Sequence, residues 1–146
     1  MRFTKMHGAG NDFLLVESRD RRRDWSKLAM AMCDRHYGIG ADGLLVILPS
    51  ATQDFQMRIF NSDGSDGGIS GNGLRCAVKY FIEEKAKPDK KEVSVETTTG
   101  IKTATFTKKA GKVNKVKAGM GEPRFGAKKI PVRLRRIGRT QGKVKS

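Results

Sequence analysis

An α+β fold, with strands wrapped around one buried helix, is what the sequence predicts, and two observations carry that reading. The first is the stretch 61–84, NSDGSDGGISGNGLRCAVKYFIEE, which changes character halfway. Gly64, Gly67, Gly68, Gly71 and Gly73 stand among polar residues; then, from Leu74 to Ile82, every residue except Arg75 and Lys79 is apolar or cysteine. Those two sit i, i+4 on one face, so the polar stripe is narrow and the helix is buried on nearly all sides. The second is the texture around this helix, short apolar or alternating runs divided by glycine turns, which reads as strands. At 146 residues the chain is one domain's worth, enough for a single core of ordinary size.

In order along the chain, Arg2 to Met6 reads as a short strand, and HGAGND (7–12) as a glycine-polar turn. Phe13 to Val16 is a compact apolar strand, ended by the charged turn ESRDRRRD. Asp24 suits an N-cap for a helix from about Trp25 to His36, with Leu28, Ala29, Met32 and Cys33 on its inner face. A third glycine turn, YGIGADG (37–43), leads to Leu44–Leu48, apolar on both faces. Phe55, Met57 and Ile59 alternate with Gln56 and Arg58, a half-buried strand delivering the chain to Asn61. The central helix should end near Lys85, before Pro88. Three strands follow, 93–97, 102–107 and 113–118, as a β-meander. From about Ala127 periodicity fades, and IGRTQGKVKS reads as an unpacked tail. If the strands wrap the buried helix, the three glycine turns converge on one mouth.

The net charge of +15 is unevenly spread. Residues 1–84 hold 11 Lys/Arg and 11 Asp/Glu, whereas residues 85–146 hold 19 basic and 4 acidic residues. Such asymmetry hints at nucleic acid or a membrane surface. Few aromatics accompany these lysines, so a solvated lysine-rich sheet face explains them better than a nucleic-acid site. No apolar run reaches membrane-spanning length, and MRFTKMHGAG lacks a signal peptide's apolar region, so a cytoplasmic protein is expected. Cys33 and Cys76 suit reduced core thiols, and no metal-ligand spacing exists.

A glycine loop feeding a buried helix places that helix's unpaired N–H groups and positive dipole end at the loop, an arrangement that binds anions. The glycines would let a carboxylate or phosphate approach the backbone closely. A plain turn leading into a helix is the alternative; the length and glycine density of the loop favour the ligand site.

Four motifs in one order, FTKMHGAGNDFLLVE, RHYGIGADGLLV, MRIFNSDGS and SGNGLRCAVKYF, together resemble the diaminopimelate epimerase family, with a similar GEPRF segment at Gly121–Phe125. The likeness covers residues 1 to about 131. It implies a mixed, mostly antiparallel sheet curled around a central helix, as one of two similar domains with the active site between them. The domain would be 1–126, followed by a basic tail, 127–146, that reflects a truncated or frameshifted reading; a natural single-domain relative is the alternative. The resemblance implies an isomerase of lysine biosynthesis that uses no cofactor and inverts the α-carbon of diaminopimelate. A homodimer is among the assemblies expected. It further implies that Asn11 and Asn61 hydrogen-bond the amino-acid end of the substrate, and that Gly71 and Asn72 offer backbone N–H groups to its α-carboxylate.

Two departures matter. The family's residue before GNG is usually a cysteine, one of two thiols flanking the α-carbon; here Ser70 holds that catalytic position. A polar side chain often stands where this chain has Gly43. Inversion without a redox cofactor needs two acid/base groups facing each other in opposite protonation states. Thiols suit that role because a helix N-terminus can lower their pKa into a useful range. An alcohol is far less acidic, and without the resemblance Ser70 reads as a helix cap. The further readings are a non-catalytic carboxylate-binding module and, less favoured, a basic nucleic-acid binder.

Overall fold

A computed structural model describes residues 2–8, 10–68, 70–85, 91–118, 131–133 and 140–143. The elements run β1 (Arg2–Gly8), β2 (Asn11–Glu17), α1 (Trp25–Cys33), β3 (Gly43–Leu48), β4 (Phe55–Asn61), α2 (Gly71–Glu84), β5 (Glu92–Thr97), β6 (Gly100–Lys109), β7 (Lys112–Ala118), β8 (Pro131–Arg133) and β9 (Thr140–Lys143). The strands form one sheet in the order β8-β7-β6-β5-β4-β3-β2-β1-β9. Only β2–β3 and β4–β5 pair in parallel, and each of these steps is bridged by a helix.

Both crossovers move the same way across the sheet, but they leave from strands of opposite direction. The right hand that such connections take therefore sends the helices to opposite faces. The two cores match this arrangement. Phe13, Leu15, Leu45, Ile47, Phe55, Met57 and Ile59 pack with Leu74, Cys76, Ala77, Val78 and Ile82 of α2. Leu14, Val16, Leu44, Val46, Leu48 and Phe60 pack with Trp25, Ala29, Met32 and Cys33 of α1. Strand β3 is buried along its whole length, as its two-faced apolarity predicts. Helix α2 touches β1 and β2 towards one side of the sheet and β7 towards the other, so the sheet curls around it. The fold is the α+β arrangement expected, with a mixed, mostly antiparallel sheet and a central helix.

Boundaries differ in three places. The turn in HGAGND is short: β1 continues through His7 and Gly8, and β2 starts at Asn11. Helix α1 stops at Cys33, three residues before His36, because Asp34 takes an extended ψ of 123° and its carboxylate accepts the N–H groups of His36 and Tyr37. The chain then folds back over the helix end, with Ile39 and Gly40 donating to Met32 O and Ala41 to Cys33 O. Gly38 makes that reversal possible, since an added Cβ would lie 2.2 Å from Ala31 O. Finally, part of the stretch read as an unpacked tail is in the sheet. Residues 131–133 pair with β7 and residues 140–143 with β1, because both edges otherwise leave backbone groups unbonded. GEPRF lies outside the described residues.

The Lys79 part of the polar stripe of α2 bonds to β7. Lys79 Nζ lies 2.6 Å from Glu83 Oε2 and donates to Val113 O at 3.2 Å, while Val113 N donates to Glu83 Oε2 at 3.1 Å. No helix among the described residues is long and apolar enough to cross a membrane.

Candidate functional site

The start of α2 and the glycine turns meet at one end of the sheet. Ser70, in extended backbone, caps α2: its Oγ accepts the Gly73 N–H at 3.1 Å, and its carbonyl accepts Leu74 N–H at 2.8 Å. The N–H groups of Gly71 and Asn72 find no acceptor among the described residues, leaving two donors at the positive end of the helix. The Asn72 side chain reaches across to the β1–β2 turn, where its Nδ2 donates to Asn11 Oδ1 at 2.8 Å. Asn11, Gly71, Asn72 and Ser70 are thus brought together.

Asn61 ends β4 opposite Gly43, and its amide donates to Ser65 Oγ at 2.9 Å. It sits at the same end of the sheet without a bond to the other four. The loop beyond it is tied to α1 through Ser26 Oγ, which donates to Gly64 O at 2.6 Å. At Gly43 a Cβ would lie 2.9 Å from Phe60 O. A side chain there requires the β3–β4 pair to shift. His7 is exposed on β1 and makes no bond to Ser70 among the described residues.

Beneath Asn11 lies an ion network that sequence reasoning missed. Asp42 Oδ2 accepts the Asp12 N–H at 3.0 Å and the Asn11 amide at 3.4 Å; Asp12 Oδ1 in return accepts the Asp42 N–H at 2.9 Å. Arg35 spans both carboxylates, with Nη2 2.9 Å from Asp12 Oδ1 and 3.1 Å from Asp42 Oδ1, and Lys5 Nζ lies 3.6 Å from Asp12 Oδ2. The available signal was an Asp closing or next to closing a glycine-rich turn, Asp12 in HGAGND and Asp42 in YGIGADG.

Burial alone would raise the Asp12 pKa, but the Arg35 and Asp42 hydrogen bonds outweigh it and hold the carboxyl well below its ordinary value. A carboxylate depressed in the folded state stabilises fully above its unfolded pKa, near 3.9, and that contribution is lost as pH falls through the folded value. The stability gap between the wild type and Asp12→Asn should therefore be constant above about pH 5 and narrow steadily below about pH 4. Thermal unfolding across pH 2–6 measures it; a gap that widens on acidification excludes the ion-pair account.

Burial pushes the Cys33 thiol up to about 11 and the Cys76 thiol up to about 12. Both are core thiols, as expected, and neither is available as an acid/base group at neutral pH. Arg75, one of the two stripe residues, folds back along the helix. An added Cβ on Gly71 would lie 3.0 Å from its Nη1, which also approaches Asn72 Oδ1 at 3.5 Å. Gly71 needs no unusual φ; what it provides is room for this guanidinium. A separate cleft of about 390 Å³ opens near the opposite end of α2, between Glu17, Leu48, Phe55, Phe81 and Lys85.

Solved structures share this architecture. A probable proline racemase from Agrobacterium radiobacter K84 superposes with a TM-score of 0.65 at 19% identity, over 80% of this chain and 40% of that one. A hydroxyproline epimerase from Agrobacterium vitis gives 0.66 at 16% identity, over 81% and 40%. At such identities the likeness establishes the fold, that of one half of the racemase and epimerase chains. The sequence places it more narrowly. The diaminopimelate epimerase family profile matches residues 3–126, and the chain belongs to that family. It is 50% identical over 133 residues to the diaminopimelate epimerase of Caldanaerobacter subterraneus subsp. tengcongensis, covering 91% of this chain and 48% of that one. Against the Methanococcus maripaludis C5 enzyme the identity is 47% over 133 residues, with 90% and 48% covered. The chain thus spans about half the length of these curated relatives.

Proposed function

We propose that this chain is the substrate-carboxylate half of a diaminopimelate-epimerase-type isomerase, a cytoplasmic component of lysine biosynthesis that requires no cofactor. Residues 1–126 carry the family part of its domain, to whose sheet β8 and β9 add, and a second domain or partner copy completes the site. The complete site converts LL- to meso-diaminopimelate by two-base proton transfer at the α-carbon. In this reading Gly71 and Asn72 donate their N–H groups to the α-carboxylate, Asn11 and Asn61 hold the amino-acid end, and Ser70 stands at one of the two acid/base positions. The observation that carries it is the pair of uncommitted N–H groups at the start of α2, directly beside Asn11.

Ser70 favours a second reading, a binding module that does no chemistry. Its hydroxyl is already engaged as the helix cap, and a half-length chain with an alcohol in place of a thiol retains recognition while losing its acid/base group. Calorimetry with diaminopimelate, on the chain complemented by the second half of a relative, tests the recognition common to both readings. Binding should be detected, and Asn61→Ala should weaken it by about 1–3 kcal/mol, the range for a lost buried hydrogen bond. Absence of binding, or an Asn61→Ala form that binds as well as wild type, excludes the assigned ligand set.

A further inference from the structure

The amides of Asn11 and Asn72 lie inside one directional chain of hydrogen bonds. Arg75 Nη1 donates to Asn72 Oδ1 at 3.5 Å, Asn72 Nδ2 to Asn11 Oδ1 at 2.8 Å, and Asn11 Nδ2 to Asp42 Oδ2 at 3.4 Å. A guanidinium can only donate, and an ionised carboxylate can only accept. An amide can do either, according to how it is flipped. With a donor-only group at one end and an acceptor-only group at the other, a single orientation of both amides makes every link. Flipping either one sets N–H against N–H or oxygen against oxygen.

Both ends of the chain are fixed. Asp42 is held by the Asp12 N–H and by Arg35. Arg75 lies against the Cβ-less face of Gly71, has no carboxylate partner among the described residues, and keeps a buried Nε without any hydrogen-bond acceptor. A half-buried cation with so few acceptors gains from holding Asn72 Oδ1 even at long range.

We propose that Arg75 and Asp42 are positioning residues that lock the amide orientation of Asn72 and Asn11 and so leave the free N–H of each amide, not its oxygen, as the group most open to a ligand. In that orientation both side-chain oxygens are engaged, and each Nδ2 retains one uncommitted N–H. With the backbone N–H groups of Gly71 and Asn72, these three residues then contribute four uncommitted N–H donors. A carboxylate can accept from these donors, whereas an ammonium group finds on the two amides only the second lone pair of an oxygen already engaged. The polarity of the rim is therefore set from outside it, by a cation behind Asn72 and an anion behind Asn11. The inference rests on the reading that this rim is the ligand site, but the locked orientation can be measured without any ligand.

The test uses side-chain amide NMR on the full ¹⁵N-labelled chain. In wild type, Asn11 and Asn72 should each give one NH₂ pair, with one proton of each pair protected from solvent exchange. Arg75→Met and Asp42→Ala should reduce that protection roughly two- to tenfold, the factor for losing one hydrogen bond, with native backbone spectra. Arg75→Lys, which keeps a donor, should restore much of it. Acetate should then shift the two amide signals in wild type while methylammonium leaves them in place, and this preference should weaken in Arg75→Met. Unchanged protection in both Arg75→Met and Asp42→Ala, or equal responses to acetate and methylammonium in wild type, overturns the proposal. If acetate acts as expected but diaminopimelate does not, the rim stands and the substrate assigned above is wrong.

Discussion

Ser70→Cys is expected to accelerate exchange of the substrate α-hydrogen with solvent deuterium by about 10²–10⁴-fold, the usual contribution of a positioned acid/base group. The comparison is between the two forms of this chain, each complemented by the second half of a relative and supplied with diaminopimelate. The gain follows from where residue 70 sits. Its side-chain atom is 3.1 Å from the Gly73 nitrogen at the positive end of α2. A hydroxyl there accepts a hydrogen bond and remains protonated, whereas a thiol there is stabilised as thiolate and can cycle between acid and base near neutral pH. The cap itself weakens, because sulfur is a poorer acceptor, so a loss of up to about 1 kcal/mol of stability accompanies the gain. Brisk exchange by the Ser70 form with no improvement from cysteine would falsify the assignment of residue 70 to the acid/base position.

The second large effect is on stability. Trp25→Ala should cost about 3–5 kcal/mol, as truncation of a buried aromatic does. Trp25 is 1% exposed, opens α1, and ties the helix to the preceding turn through Nε1 donating to Asp20 O at 3.2 Å. Its loss removes packing and one bond between the helix and the preceding turn. The same change should also reach the site, because α1 carries the 34–42 loop whose Arg35 and Asp42 support Asn11. Denaturant unfolding measures the first effect, and hydrogen exchange at the Asp12 and Asp42 amides the second. A loss below about 1 kcal/mol, smaller than a typical buried deletion, means the outer face of the sheet tolerates a cavity and α1 is not anchored there.

What could be read from the sequence followed how local each signal was. Helix α2 was legible because an all-round apolar pattern broken only by Arg75 and Lys79 admits few other readings. The β5–β7 meander was legible because Val93, Val95 and Ala104 alternate with polar residues. The α1 terminus was misplaced by three residues because Asp34 competes for the backbone with its own carboxylate, an effect that apolar periodicity does not register. The motifs led to the candidate site residues, but not to what holds them. The reciprocal bonds of Asp12 and Asp42 join residues 30 apart, and nothing local distinguishes either from a solvated turn aspartate. Arg75 was read only as part of a polar stripe, although a long side chain on a helix leans back towards its N-terminus. Thr140–Lys143 has little strand character of its own and is placed by the open edge of β1.

The grip of Lys79 and Glu83 on Val113 has a consequence for the opposite end of α2. Both backbone groups of one β7 residue are held by two side chains on a single helical face. That contact works like a key in a keyway: it admits the helix at one rotational setting. Each residue of an α-helix advances it by about 100°. A one-residue slip at the key would therefore swing Gly71 and Asn72 more than a quarter turn away from Asn11. The azimuth of the first turn is indexed from two turns further along, by residues that never approach the mouth.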